Sequence, residues 1–110
     1  MEDVFTLKIN YQPRFVNQKV QTNLKLVYAS NTTFDCKTIE IPKKNFTNWF
    51  FTGKNSNGSR VALDQSNDTM TFFELLEDHE GVYECIVTNN VGEVRREFSI
   101  DLIPKGKFKA

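Results

Sequence analysis

The stretch Gly81-Val82-Tyr83-Glu84-Cys85-Ile86-Val87-Thr88-Asn89-Asn90-Val91-Gly92-Glu93 carries most of the information about the fold. Its period is two. Val82, Glu84 and Ile86 fall on one side, Tyr83, Cys85 and Val87 on the other, which marks a strand with one face buried. Asn89-Asn90-Val91-Gly92 is turn chemistry. Beyond it Phe98, Ile100 and Leu102 alternate with Ser99, Asp101 and Ile103. The whole therefore reads as a hairpin. Towards the N-terminus, Phe5, Leu7 and Ile9 alternate with Thr6, Lys8 and Asn10 in the same way. Turn signals also separate strand-like runs at Gly53-Lys54-Asn55-Ser56-Asn57-Gly58-Ser59 and Ser66-Asn67-Asp68. Many short strands spaced by such turns describe a sandwich or barrel. Only Phe72 to Glu80 has a mixed period, and at most one helical turn is expected there.

The chain has 110 residues, room for one domain. Lys and Arg (14) balance Asp and Glu (14), so no global field draws the chain to nucleic acid or an anionic membrane. No apolar run approaches the roughly 20 residues of a membrane helix, and direct membrane insertion is not expected. Met1-Glu2-Asp3-Val4 lacks the basic and apolar regions of a signal peptide, which fits either a cytosolic protein or a fragment of a longer secreted chain.

Cys36 and Cys85 are the two cysteines, and Trp49 is the one tryptophan. Trp49-Phe50-Phe51-Thr52-Gly53 resembles the central strand of immunoglobulin domains, and Gly81-Val82-Tyr83-Glu84-Cys85 resembles their second-cysteine motif. Asn89 four residues after Cys85 and Gly92 seven after it resemble the last hairpin of the I-set. Pro13-Arg14-Phe15 resembles an I-set first strand, and Met70, Phe72 and Leu75 fill the apolar positions before the second cysteine. The resemblance implies an all-β, immunoglobulin-like I-set sandwich of two antiparallel sheets with Greek-key connections. Residues 11–103 would form it, residues 1–10 an extension or the end of a preceding domain, and residues 104–110 a linker or tail. It also implies a Cys36–Cys85 disulfide packed on a core Trp49, against the alternative of two buried thiols. Tyr83 is expected to bond backbone in the preceding turn. The family carries Asp where this chain has His79, which puts the usual Asp–Arg pair in question; Arg60 is expected to reach Asp78 instead.

Four Asn-x-Ser/Thr acceptor triplets begin at Asn31, Asn45, Asn57 and Asn67. With 11 Asn and 15 Ser plus Thr, chance gives about 1.5. The excess points to a glycoprotein in an oxidising, extracellular or cell-surface setting. No enzyme constellation is found. His79 is the one histidine, flanked by the acids of a solvated turn, and Glu74, Glu77, Asp78 and Glu80 lack the spacing of a calcium loop. No cofactor, metal or catalytic residue is expected.

The expected function is non-catalytic: a protein-recognition module of a receptor or adhesion protein, with a protein ligand or adhesion partner. A structural I-set domain of a sarcomeric or cytoskeletal array, and a small secreted ligand-binding immunoglobulin protein, are the alternatives. The segment from Lys19 to Ala29, with Phe34 and Cys36, also resembles the second immunoglobulin domain of fibroblast growth factor receptors. There this stretch carries heparin-binding lysines, of which Lys19 matches one, while Ser30, Thr33 and Asp35 stand at other basic positions. Arg95, Arg96 and Lys19 are the candidate partner-binding residues, for a protein or for heparan sulfate; Lys43-Lys44 and Lys105, Lys107 and Lys109 are further basic groups.

Overall fold

The computed structural model describes residues 9–43 and 46–103. Among these residues nine strands follow one another: β1 (Tyr11–Phe15), β2 (Asn23–Val27), β3 (Thr32–Asp35), β4 (Thr38–Ile41), β5 (Phe46–Gly53), β6 (Arg60–Leu63), β7 (Thr69–Phe72), β8 (Gly81–Thr88) and β9 (Glu93–Ile103). A single 3₁₀ turn, Glu77–His79, interrupts the connection to β8. The expected extension falls largely on residues 1–8 and the tail on residues 104–110; both lie outside the described residues, as do Lys44 and Asn45.

One layer is a five-stranded sheet in the order β2-β9-β8-β5-β6. The other is made of two ladders, β1-β4 and β3-β7. β3 and β4 are two pieces of one extended run. Asp35 breaks it, because its Oδ1 accepts the Lys37 N–H at 2.9 Å, a local bond that competes with the ladder. β3 therefore pairs on one side with β7 and β4 on the other with β1. Pro13 lies in β1, where the register slips between Tyr11 and Arg14, as suits a residue with no N–H to donate. After β1 the chain crosses to the other layer. There β2 runs beside β9 in parallel, the one departure from antiparallel pairing among the described residues. The hairpin of the Gly53–Ser59 turn joins β5 to β6.

The layers meet over an aromatic core. Phe34 of β3 stacks on Phe98 of β9, with centroids 4.4 Å apart and planes 4° from parallel. Trp49 on β5 is fully buried, and its Nε1–H donates to Asn67 O at 2.8 Å, so burial leaves no polar atom of the indole unpaired. Cys36 and Cys85 form the disulfide, with Cα atoms 6.7 Å apart, across the two layers. Closing a loop of that length stabilises by about 4 kcal/mol in the chain-entropy treatment.

Candidate functional site

Alternation along β8 turns Tyr83, Cys85 and Val87 into the core, which leaves Val82, Glu84 and Ile86 on the outer face of the five-stranded sheet. The register then fixes their neighbours. Glu84 lies between Phe50 of β5 and Glu97 of β9, Ile86 lies beside Arg95, and Arg60 of β6 is opposite Thr52. Glu84 is the hub. Its Oε1 accepts from Arg60 Nη2 at 2.8 Å and its Oε2 from Arg95 Nη1 at 3.4 Å. Arg95 also donates to Glu93 Oε2 at 2.8 Å. The Arg60 guanidinium sits 3.9 Å from the centre of the Phe50 ring, a cation–π contact.

Arg60 and Arg95 are about half exposed, so each pair adds little to stability. Their effect is positional. Each guanidinium is held by a carboxylate, and the hydrogen bond and charge of Glu93, with Glu84 behind it, hold the Arg95 guanidinium more firmly protonated than usual. The result is an ordered surface with charges of both signs around a half-covered aromatic ring. Among the described residues no cluster of His, Cys, Asp and Glu is disposed to hold a metal ion.

Arg95 and Arg96 do not act together. They are consecutive on β9 and point to opposite faces. Arg96, opposite Cys85, turns to the seam between the layers. Its Nη1 donates to Asp35 O at 2.9 Å, its Nη2 to Asn17 O at 2.7 Å, and its guanidinium lies 4.0 Å from the Phe15 ring centre. Loss of solvent lowers its affinity for the proton. Expected as a partner-binding residue, Arg96 is occupied in tying β9 to the β1 side. Lys19 is exposed on the connection after β1, apart from the Glu84 network.

Arg60 does not reach Asp78; the register of β5, β6 and β8 sets it against Glu84 instead. His79 takes over local capping where the family has Asp: its Nδ1 accepts the Leu76 N–H at 2.9 Å, and its ring packs edge-on to Phe72 at 5.0 Å. The Tyr83 hydroxyl donates to His79 O at 2.7 Å, the expected bond into the preceding turn. Asn31, Asn57 and Asn67 are exposed; Asn45 lies outside the described residues.

Glu84 and Arg60 escaped the sequence reading as site residues. A Glu in mid-strand flanked by apolar residues was their one signal. Asn89 was legible only as a turn residue, yet it is buried and its side chain makes four bonds. Its Nδ2 donates to Tyr11 O (2.8 Å) and Pro42 O (3.0 Å), and its Oδ1 accepts from Val91 N–H (3.0 Å) and Gly92 N–H (3.1 Å).

The family model described as the immunoglobulin I-set domain matches residues 13–102. Peroxidasin homolog pxn-1 of Caenorhabditis elegans is 37% identical over 76 residues, covering 68% of this chain and 6% of that protein. Tyrosine-protein kinase-like otk of Drosophila willistoni is 31% identical over 103 residues, covering 93% of this chain and 9% of that protein. The chain thus spans less than a tenth of either relative. Among solved structures, one described as the structural basis for Dscam isoform specificity superimposes with a TM-score of 0.69 at 22% identity, over 86% of this chain and 25% of that one, a likeness of fold.

Proposed function

Because the chain belongs to the immunoglobulin I-set family, we propose that it is a non-catalytic, extracellular protein-recognition module that binds its partner through the outer face of the five-stranded sheet. The observation that carries this reading is the Arg60–Glu84–Arg95 network over Phe50. It fixes long side chains before any partner arrives, so little rotamer entropy remains to be lost on binding. Charges of both signs around an aromatic centre suit a protein surface of complementary charge. They suit a polyanion such as heparan sulfate less, since Arg95 is already held by Glu84 and Glu93. The buried disulfide supports an oxidising compartment. Exposed Asn31, Asn57 and Asn67 support glycan attachment there; Asn45 is an acceptor by its triplet alone.

The test uses the chain secreted from animal cells, multimerised for avidity and offered to an array of secreted ectodomains. At least one ectodomain should be retained. Phe50→Ala and Arg95→Glu should release it, while Lys19→Ala should not. Retention in the cell with free thiols, or a bound ectodomain indifferent to both face variants, would refute the reading. Mass spectrometry of the secreted chain should find glycan on the acceptor asparagines, removable by a peptide N-glycosidase.

A further inference from the structure

Folding treats two of the acceptor triplets in opposite ways. Asn67-Asp68-Thr69 leads into β7, and its three consecutive carbonyls are each held by a separate donor. Asn67 O accepts the Trp49 Nε1–H at 2.8 Å. Asp68 O accepts the Cys36 N–H at 2.8 Å. Thr69 O accepts from Gln65 Nε2 at 2.7 Å. Trp49 and Cys36 are both fully buried, one on each layer, and the Cys36 sulfur is bonded to Cys85. The triplet therefore cannot leave the surface without breaking bonds to the core of both layers.

Asn57-Gly58-Ser59 is tied only to its own turn. Asn57 (φ +58°) and Gly58 (φ +82°) both lie in the left-handed region, as the two central residues of a type I′ turn do. Ser59 N–H closes that turn on Ser56 O at 3.1 Å, and Ser56 Oγ donates to Gly53 O at 2.8 Å. All three residues of the triplet are exposed, and a Cβ on Gly58 would meet nothing within 4 Å. An N-glycan transferase must hold the asparagine amide and the hydroxyl two residues on at the same time. It reads a triplet only when that segment leaves its place in the fold. Opening an exposed turn costs little, whereas opening a segment bonded to the core approaches the cost of global unfolding.

We propose that folding closes Asn67 to N-glycan transfer and leaves Asn57 open, so that transfer at Asn67 competes with closure of the Cys36–Cys85 disulfide. This rests on the reading of the chain as an extracellular glycoprotein and adds the order of events. In the transfer step the Asn67 amide nitrogen displaces a lipid pyrophosphate from the anomeric carbon of the donor oligosaccharide. The N–C bond forms, the C–O bond to the pyrophosphate breaks, and the amide gives up one proton to a base. The Asn67 side chain is exposed, so a glycan already in place stays on the folded domain without a clash. Exposure thus permits the product, while the three carbonyl bonds block the reaction. Occupancy at Asn67 records whether the transferase or the disulfide came first; occupancy at Asn57 does not.

The experiment takes the full oxidised chain, made without glycans, as acceptor for a purified oligosaccharyltransferase and its lipid-linked oligosaccharide. Peptides of residues 53–61 and 63–71 serve as unfolded references, which cancel the intrinsic difference between the two triplets. Mass spectrometry reads the initial rate at each asparagine. One bond of this kind is worth up to about tenfold in an opening equilibrium. With three to break, the folded-to-peptide rate ratio should be at least about tenfold lower at Asn67 than at Asn57. Gln65→Ala removes one of the three bonds without touching the core; it should raise the Asn67 rate of the folded chain severalfold and leave Asn57 unchanged. Equal ratios at the two sites, no transfer to Asn57 of the folded chain, no transfer to the 63–71 peptide, or an Asn67 rate indifferent to Gln65→Ala would overturn the proposal. The reaction runs outside the cell, so its failure is separable from that of the extracellular reading: retention in animal cells counts against the latter alone.

Discussion

Arg95 and Arg96 show how far one position along a strand changes a residue's task. Arg95 lies on the solvent side among carboxylates; Arg96 closes the seam on two backbone carbonyls and an aromatic ring. Arg96→Ala should lower stability by about 1–2 kcal/mol, from the lost charged hydrogen bonds and packing, whereas Arg95→Ala should leave the melting temperature in place. Chemical denaturation of both variants checks this, and equal loss in the two would contradict it. Thr47 is a second case. It is buried, and its hydroxyl has no partner among the described residues. An unpaired buried hydroxyl costs about 1–3 kcal/mol, and valine has the same shape. Thr47→Val should raise the denaturation midpoint at unchanged m-value; a lower midpoint would mean that the hydroxyl is satisfied.

At the scale of elements, the β8–β9 hairpin is both the most legible part of the chain and the most constrained. Its strands were readable from period two alone, because burial on one face imposes alternation directly on residue choice. Its turn was readable as Asn and Gly chemistry, but the work of Asn89 was not. That side chain bonds its own turn and also Tyr11 and Pro42, so it joins three segments distant in sequence. Asn89→Ala should cost about 2 kcal/mol by leaving four part-buried backbone groups without this partner. Amide exchange should accelerate at Val91 and Gly92 and at the neighbours of Tyr11; an effect confined to the hairpin would show the long-range bonds to be idle. The split of β3 from β4 was not legible either. It depends on Asp35 choosing a local bond with Lys37, and nothing in the composition distinguishes that Asp from one facing water.

Over the whole molecule, acid–base behaviour follows from the core. Burial pushes the Tyr83 phenol well above its usual value, near 10 in the unfolded chain. A folded-state pKa above the unfolded one gives a contribution that is fully present below about pH 10 and is lost as pH rises beyond it, because the unfolded chain releases the proton first. Stability should therefore fall above about pH 10. Tyr83→Phe should flatten that decline at a cost of about 1 kcal/mol at neutral pH, from the lost bond to His79 O. Equal alkaline slopes in wild type and variant would place the titrating group elsewhere.

The amino-acid sequence determined the strands of the β8–β9 hairpin, the alternating set of Tyr83, Cys85 and Phe98, and the main turns, because solvent exclusion acts residue by residue and leaves a periodic trace; the core place of Trp49 followed from the resemblance to immunoglobulin domains. Only the tertiary structure decided what each outward side chain meets. Arg60 with Glu84 and Arg96 with the carbonyls of Asn17 and Asp35 depend on register between strands far apart in the chain. A shift of one residue would reverse every one of those faces, and period-two alternation is the same for any strand it might pair with.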